Sequence, residues 1–420
     1  MKNLTFLSVI VGGILFSACS DGGKELITSL DNCPLVATFE QVGPNKVMVA
    51  HLEQMGDTLD MSLSSLVEDL YVIPLDNRDE ALTKGENPHV TENYILIRPW
   101  SGEAAKLFDK EGRFICKIGD FGQGPGEYQN LYDEQIDEEN NRIYLLPWQA
   151  KSVLAYDLNG NFVQSIPLAE EAPKGAVYVD TKTQRLIVGI LPFQINEDEK
   201  KTFLWYQDFE GNVLHRIDAK PYSVYPDFSN EVFNDNNIPG IFDFSVLYIG
   251  ARNDSLFHYE PKSSKLTPVF TMQQPSEMVM HFSKEIPNHF MLGFVTEMQQ
   301  VAPGASQASR YAYIIIDKET GKGSYVRFYN DIFDNQFMPN AFFQMNNGYY
   351  IESVDPGDLA ERVEMALRKS DKLTKEQYEA MLSLHRNINY SNDNTYLFVA
   401  KLRQTKSDTP SRLIILPRAE

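Results

Sequence analysis

Two tryptophans lie where strands are expected to end, and an arginine is close to one of them. Trp100 follows Arg98 and Pro99, and Trp148 follows Pro147. An aromatic ring beside a guanidinium suits the recognition of a sugar or a carboxylate. Core packing is the alternative for both rings, because sheets that pack face to face need large side chains. We therefore take Arg98, Trp100 and Trp148 as candidate ligand-binding residues.

A glycine-rich stretch that ends in Glu127 and Tyr128 is a second candidate. Its glycines at Gly122, Gly124 and Gly126 could hold an anion through backbone N–H groups. However, a phosphate loop requires a following helix and a Lys-Ser pair, and neither is present. A tight crossover between repeats is the alternative, with Tyr128 packed and Glu127 capping backbone donors. Both residues remain candidate ligand contacts.

The motifs of common catalytic and metal centres are absent from the sequence. It contains neither a Gly-x-Ser-x-Gly elbow nor a His-Glu-x-x-His pair. His281, Glu285 and His289 would share one face only on a helix, which Pro287 disfavours. We therefore predict no metal and no cofactor, leave catalytic residues unassigned, and favour a protein that is not an enzyme.

The first residues carry the pattern of a secretion signal. Lys2 precedes an apolar run over residues 4–16, which is too short to span about 30 Å of hydrocarbon. The following Ser17-Ala-Cys19 resembles the lipobox of bacterial lipoproteins, and the resemblance implies a lipid on Cys19 at the mature N-terminus. An ordinary secretory peptide that is cut nearby is the alternative. We predict a signal peptide over residues 1–18 and a tether over residues 19–45.

The composition narrows the class of protein. The 420 residues carry a net charge of −20, with 43% hydrophobic and 12% aromatic residues. This content supports a real core, and the acidic balance argues against a nucleic-acid partner. Three cysteines are too few for a disulfide scaffold. Cys33 and Cys116 could pair outside the cytosol, but we favour two unpaired thiols.

A repeated unit organises most of the chain. An apolar run, an Asp-x-x-Gly turn and a second apolar run recur about every 50 residues. Aspartate can bond its own backbone and glycine accepts a positive φ, so each unit predicts a β-hairpin. Four short strands per unit is the spacing of a propeller blade. The acidic turn positions are Asp109, Asp157, Asp208, Glu260 and Asp317.

This spacing predicts an all-β fold, a six-bladed β-propeller of four-stranded blades over residues 46–420, with seven blades as the nearest alternative. Asp355-Pro-Gly and the capping box Thr374–Gln377 predict a helical hairpin over residues 356–387, inserted in the last blade. Residues 46–51 form a further predicted strand. If that strand pairs into the last blade, both termini close the ring.

The glycine-rich string Gly119–Tyr128, together with the preceding hairpin at Phe108–Ile115, resembles the signature of six-bladed β-propeller lipoproteins of Bacteroidota type, which are relatives of NHL-repeat propellers. Residues 61–75 resemble the lead-in to the first blade of that family. The resemblance covers nearly all of the mature chain. It implies the fold and a place in the cell envelope, but no reaction.

These observations predict a lipid-anchored, extracytoplasmic binding or scaffolding module, whose partner is a glycan, a peptide or an envelope protein. The anchor would be its only membrane contact, at the outer membrane. The periplasmic side is slightly favoured over the cell surface, because no acidic cluster follows Cys19 directly. One alternative is a glycan lyase or hydrolase with carboxylates at the central funnel. Another is an envelope-complex subunit that docks through the helical hairpin.

Overall fold

The computed structural model is a ring built mostly of β-strands. It describes residues 26–99, 102–191, 202–222, 230–247, 255–273, 280–302, 305–368, 373–390, 392–407 and 409–418. Cys19 and Trp100 lie outside these residues. No helix among the described residues is long and apolar enough to cross a bilayer.

Four short strands precede the first blade and later join sheets elsewhere in the ring. The first two form an antiparallel hairpin whose turn contains Gly43 at a φ of 58°. These strands are β1 Ala37–Val42, β2 Asn45–Ala50, β3 Leu59–Ser62 and β4 Val67–Pro74.

The first three blades each contain four antiparallel strands that follow one another along the chain. A short parallel pair, β9 and β10, connects the first blade to the second. The strands are β5 Pro88–Val90, β6 Tyr94–Ile97, β7 Ala105–Asp109, β8 Phe114–Ile118, β9 Asp120–Phe121, β10 Glu127–Tyr128, β11 Leu131–Asp137, β12 Arg142–Pro147, β13 Ala150–Tyr156, β14 Phe162–Ala172, β15 Gly175–Asp180, β16 Arg185–Ile190, β17 Thr202–Asp208 and β18 Val213–Asp218.

The last three blades use strands from both ends of the chain. Strand β2 lies parallel to β22 beside the fourth blade, and β3 lies parallel to β26 beside the fifth. The remaining elements are β19 Glu231–Phe233, β20 Phe242–Leu247, β21 Leu256–Glu260, β22 Lys265–Met272, β23 His281–Ile286, β24 His289–Ala302, β25 Ala305–Asp317, β26 Gly323–Tyr329, β27 Met345–Asn346, β28 Tyr349–Val354, α1 Pro356–Arg368, α2 Lys375–Asn387, β29 Tyr396–Leu402 and β30 Leu413–Ile415.

The sixth blade closes the ring. Its four strands are ordered β27-β28-β29-β4, and β30 adds to the outer edge of β4. Strand β4, from the N-terminal part, therefore lies between β29 and β30 from the C-terminal part. The protein is therefore a six-bladed β-propeller of four-stranded blades, as predicted. Closure by both ends of the chain is also confirmed, but the closing strand is Val67–Pro74. Our choice of residues 46–51 was wrong, because that segment pairs with β22 of the fourth blade.

The predicted tether over residues 19–45 is too long. Ile27 forms a bridge with Met61, Leu35 forms one with Lys322, and β1 is already part of a sheet. Apolar side chains explain this order, because Val36 and Ala37 are buried between the fourth and fifth blades. Among the described residues, Cys33 and Cys116 are both free, as we favoured.

The recurring acidic turns form hairpins with the predicted local bonds. The Oδ1 of Asp109 accepts from the N–H of Glu111 at 3.0 Å and of Arg113 at 2.9 Å. Asp157 repeats this with Asn159 and Asn161, at 2.9 Å each. The turn glycines have positive φ, which L-residues rarely adopt. These glycines are Gly112, Gly160, Gly211 and Gly321.

The described residues form six apolar core clusters, one for each contact between neighbouring blades. Strand β25 shows how one strand serves two clusters. Ile314 and Ile316 pack toward the fourth blade, and Ile315 packs toward the sixth. Successive side chains on a strand point to opposite faces, so a blade buried on both faces needs an unbroken apolar run.

The helical hairpin lies between β28 and β29, as predicted. Asp355 accepts from the N–H of Gly357 at 2.8 Å, and Thr374 and Gln377 form the full capping box. Helix α1 packs its buried stripe against the core shared by the fifth and sixth blades. The buried residues of this helix are Pro356, Leu359, Val363 and Ala366.

Candidate functional site

Arg98 lies on the inner side of the ring, where the end of β6 meets the second blade. Its guanidinium forms an ion pair with Glu134 on β11, and its Nη1 donates to the Leu131 carbonyl at 3.0 Å. His89 Nδ1 on β5 is 4.0 Å from the Glu134 carboxylate. Burial lowers the pKa of His89, so its imidazole is neutral at neutral pH. Arg98 therefore neutralises a buried carboxylate.

A second group of charges connects the second, third and fourth blades. The Tyr132 hydroxyl donates to Glu231, and Lys174 pairs with the same carboxylate. Asp133, on the strand that carries Tyr132, accepts from the N–H of Val177 at 2.7 Å. Burial and the adjacent Glu134 raise the pKa of Asp133 to about 7. These side chains bind neighbouring inner strands to one another.

A third group lies between the fourth, fifth and sixth blades. Lys284 Nζ is 2.9 Å from Asp235 Oδ1 and donates to the Met345 carbonyl at 2.6 Å. Asp243 Oδ1 accepts from the N–H of Asp235 at 2.9 Å and from the N–H of Asn236 at 3.1 Å. Burial and the negative charge of Asp235 raise the pKa of Asp243 to about 8. Asp243 is therefore largely protonated at neutral pH.

Glu285 completes this group. Burial opposes its ionisation, but the hydrogen bond from His258 and the charge of Lys318, whose Nζ is 2.6 Å away, lower its pKa. Asn347 then connects the sixth blade to the first, because its Nδ2 donates to the Val90 carbonyl at 2.8 Å.

We call these groups together the axial network. They come from all six blades, and each carboxylate has a cation, a tyrosine hydroxyl or backbone N–H groups as partner, so the network cross-links the ring. Among the described residues, no group of His, Cys, Asp and Glu could hold a metal ion. The network comprises His89, Arg98, Tyr132, Asp133, Glu134, Lys174, Glu231, Asp235, Asp243, Lys284, Glu285 and Asn347.

Asp243→Asn is expected to reduce the dependence of stability on pH. The pKa of Asp243 is about 8 in the fold, against about 3.9 in an unfolded chain. The folded state therefore keeps a proton that the unfolded state releases, and this carboxyl lowers the free energy of unfolding as the pH rises from about 4 to about 8. Asparagine keeps the acceptor oxygen but does not titrate. Urea denaturation at both ends of this pH range should show that the free energy of unfolding falls less in the variant than in the wild-type protein. Equal falls in the two proteins would contradict the assignment.

The glycine-rich stretch forms the predicted crossover between the first and second blades. Tyr128 is buried, and its hydroxyl donates to the Ile118 carbonyl at 2.5 Å and accepts from the N–H of Ala105 at 2.8 Å. Glu127 Oε2 accepts from the N–H of Gly124 at 2.8 Å. Packing by Tyr128 and capping by Glu127 are both confirmed. Their role as ligand contacts stays a prediction.

Trp148 remains an exposed candidate. The residue is 43% exposed, and its backbone N–H donates to the Asn130 carbonyl at 2.9 Å. Arg98 bonds the next carbonyl, that of Leu131, so both candidates attach to one segment after the crossover. This segment lies at the end of the ring opposite the β5–β6 and β7–β8 turns, because strands alternate in direction within a blade.

A groove opens at the other end of the ring, between the first and sixth blades. Its volume is about 800 Å³, within the range of about 300–1,000 Å³ that is common for ligand sites. The floor is the apolar face that the two blades share, including Ile73, Val90, Ile95 and Val399. The outer wall is the C-terminal segment, residues 403–407 and 409–416, which follows β29.

Two tyrosines from separate strands line the groove. Tyr71 on β4 shares a face with Asp69 and Ile73, because side chains alternate along a strand, and it is 38% exposed. Tyr349 on β28 forms a hydrogen bond with Glu92. Burial and the nearby Glu92 raise the pKa of Tyr349 to about 12, so its hydroxyl keeps the proton.

Among the described residues at the rim of the groove, acidic and basic side chains are equal in number. Arg412 donates to Asp69 Oδ2 from Nε at 3.1 Å and from Nη2 at 2.5 Å. Lys401 Nζ is 3.4 Å from Glu92 Oε2. The carboxylates are Glu68, Asp69, Glu92 and Glu111, and the cations are Lys110, Lys401, Arg403 and Arg412.

The C-terminal segment is held in place by its own hydrogen bonds. Arg403 Nη2 donates to the Thr409 carbonyl at 2.6 Å and to Ser411 Oγ at 2.9 Å. The hydrogen bonds from Arg412 lower the pKa of Asp69, so this pair stays ionised at neutral pH. The groove therefore has a wall fixed by internal bonds.

Comparison with known proteins then identifies the family. A profile described as a domain of unknown function, DUF4934, matches residues 48–401. The chain belongs to the DUF4934 family. The match includes the closing strand β4 and the floor of the groove, whereas the C-terminal segment that forms the wall lies beyond the matched residues.

Comparison with solved structures shows one likeness of fold for this DUF4934 chain. An exported protein from Bacteroides fragilis NCTC 9343 matches with a TM-score of 0.52 and 14% identity, over 83% of this chain and 98% of that chain. A DUF4221 family member from Bacteroides vulgatus has a TM-score of 0.39 and 11% identity, over 80% of this chain and 97% of that chain. At 14% identity, the first likeness concerns the fold alone. No curated protein matched the chain.

Sequence reasoning missed every residue of the groove. Arg98, Glu127, Tyr128 and Trp148, the candidates that the structure describes, do not line it. The alternation of Asp69, Tyr71 and Ile73 was the available signal, since it places a carboxylate, an aromatic ring and an apolar side chain on one face. The alternation points to a site only when β4 is known to close the ring.

Proposed function

We propose that this DUF4934 protein is a lipid-anchored, extracytoplasmic binding module, with a glycan or a peptide held in the groove between the first and sixth blades. The groove is the observation that supports the proposal best. Its volume of about 800 Å³, apolar floor and hydrogen-bonding rim are the combination that small-ligand sites commonly have. The floor buries apolar parts of a ligand, and the rim fixes its orientation.

The proposed cellular location is inferred from the first residues of the chain. The apolar run followed by Ser17-Ala-Cys19 supports a lipid anchor at Cys19. The lack of an acidic cluster directly after Cys19 supports the periplasmic side of the outer membrane. The similar Bacteroides fragilis protein is described as exported, which agrees with this address. Kinship with NHL-repeat lipoproteins is part of the same proposal.

An enzyme would need carboxylates that a substrate can reach. Asp133 and Asp243 have the raised pKa values that a general acid requires. However, Asp243 is buried and Asp133 is half-buried, and their oxygens accept from backbone N–H groups of neighbouring strands or turns. This geometry favours a structural role for the buried charges, and thus binding over catalysis.

Docking through the helical hairpin has less support. The apolar stripe of α1 is already buried in the core between the fifth and sixth blades. Met365 and Tyr378 are the larger apolar side chains that these helices expose. Single exposed apolar residues are common on protein surfaces and do not indicate a partner by themselves.

Tyr71→Ala is expected to weaken ligand binding by about tenfold or more, because loss of an aromatic contact in a site commonly costs over about 1.4 kcal/mol. The measurement is a glycan and peptide binding screen with residues 20–420. Tyr178→Ala is a matched control, since Tyr178 is a strand tyrosine with 39% exposure that does not line the groove. Trp148→Ala tests the opposite end of the ring.

Binding that is lost in Tyr71→Ala and kept in both other variants would support the groove. Binding that is lost in Trp148→Ala and kept in Tyr71→Ala would contradict the groove. The ligand site would then lie at the opposite end of the ring, near Arg98 and Trp148. Thermal melts of all three variants establish that each one is folded.

A further inference from the structure

The positive and negative charges at the rim of the groove cancel each other. Among the described residues, four carboxylates and four cations line it, so their formal charges sum to zero although the whole chain carries −20. A site for an acidic or a basic ligand normally presents an excess of the opposite charge. The balance therefore favours a ligand without net charge.

Two of the rim cations are paired with rim carboxylates. Arg412 binds Asp69 through two nitrogens, and Lys401 Nζ lies 3.4 Å from Glu92. Arg113 Nη2, outside the groove, donates to Glu111 at 2.9 Å. Paired in this way, the rim offers carboxylate oxygens as acceptors and ammonium or guanidinium hydrogens as donors. Such a surface suits a neutral ligand that is rich in hydroxyl groups.

The tyrosines and the floor require that the ligand also has apolar faces. Tyr71 and Tyr349 add aromatic rings to a floor that includes Ile73 and Val399. A sugar ring has both properties, because C–H groups cover its two faces and hydroxyls surround its edge. Aromatic side chains with a polar end are suited to such contacts.

The pairing of β4 argues against an extended peptide. This strand is bonded to β29 on one side and to β30 on the other. A peptide that adds a strand needs an edge with unpaired N–H and C=O groups. Strand β4 instead presents a face of side chains to the groove.

We infer that the groove binds a neutral oligosaccharide. Tyr71 and Tyr349 contact the faces of sugar rings, while Asp69 and Glu92 accept hydrogen bonds from ring hydroxyls and Lys401 donates to them. The inference rests on the proposed function, and it narrows the ligand from a glycan or peptide to an uncharged glycan.

Calorimetric titration of residues 20–420 tests the inference. The probes are neutral tetrasaccharides of glucose, mannose, xylose and N-acetylglucosamine, a tetragalacturonate, and a random octapeptide library. We expect a neutral tetrasaccharide to bind. Its affinity should change less than about twofold between about 0.1 M and about 1 M salt, where the Debye length falls from about 10 Å to about 3 Å.

Two groove variants and one control variant test whether the ligand binds in the groove. Tyr71→Ala should weaken the affinity by about tenfold or more, and Tyr178→Ala should leave it unchanged. Glu92→Gln should weaken it several-fold, since the amide accepts hydroxyl protons less strongly than the carboxylate does. Glu92 is well exposed, so this variant is expected to fold normally.

Other outcomes would overturn the inference in distinguishable ways. Binding of the tetragalacturonate or of octapeptides alone, lost in Tyr71→Ala, would refute the neutral glycan and leave the groove as the site. Binding of any probe that survives Tyr71→Ala would refute both the ligand class and the site. Failure of every neutral tetrasaccharide to bind the folded wild-type protein would also refute the ligand class.

Discussion

Replacing Arg98 with alanine is expected to lower the free energy of unfolding by about 3–5 kcal/mol. Arg98 is the counter-ion of Glu134, and both side chains are mostly buried. Alanine would leave the carboxylate in the interior without a cation, which costs far more than a lost surface contact. The Leu131 carbonyl would also lose its donor. Urea denaturation followed by circular dichroism measures the change.

An exposed ion pair provides the matched control. Arg310 Nε is 3.1 Å from Glu297, and both side chains are more than half exposed. Arg310→Ala should cost less than about 1 kcal/mol, because water solvates the remaining carboxylate. Adding Glu134→Leu to Arg98→Ala should recover part of the loss. Equal losses in the two single variants would show that Arg98 does not neutralise a buried charge.

Replacing Leu70 with alanine is expected to cost about 2–5 kcal/mol. Leu70 is fully buried on β4, where it lies opposite Ala400 of β29 and Leu413 of β30. Its side chain belongs to the core shared by the fifth and sixth blades, so a cavity would form beside the strand that closes the ring. The midpoint of urea denaturation measures the effect.

Leu214 is the control for this prediction. It lies on the outer strand β18 of the third blade and is 39% exposed. Leu214→Ala should change the free energy of unfolding by about 0.5 kcal/mol or less. A cost at Leu70 no greater than the cost at Leu214 would mean that the closing strand contributes little to stability.

The blades could be predicted because each repeat carries its own local signals. Asp157 bonds the N–H groups of Asn159 and Asn161, and Gly160 has a φ of 81°. These are properties of a few neighbouring residues, so they are visible in the sequence wherever the turn recurs. The capping box at Thr374 and Gln377 was predictable for the same reason.

The closing strand could not be predicted in the same way. Residues 45–50 and 67–74 both form strands, and both bury most of their apolar side chains. Which blade each strand joins depends on partners hundreds of residues away, such as Tyr396 opposite Pro74. Strand propensity contains no information on that choice, because it reflects local burial and packing.

The groove could not be predicted from the sequence for a related reason. Tyr71 and Glu92 come from near the start of the chain, and Tyr349 and Lys401 come from near its end. They meet only because β4 completes the last blade next to the first. Arg98 was a predicted candidate because a tryptophan follows it closely in the sequence. Its partner Glu134 belongs to the next blade, so the sequence did not show that the guanidinium already forms an ion pair.

Amide hydrogen exchange with and without a bound tetrasaccharide tests the central claim most directly. We expect slower exchange in residues 67–73, 90–95, 399–407 and 409–416, which surround the groove. We expect no change around Arg98 and Trp148 at the opposite end of the ring. Slower exchange confined to residues 127–131 and 146–150 would contradict it, because the ligand would then occupy the other end of the propeller.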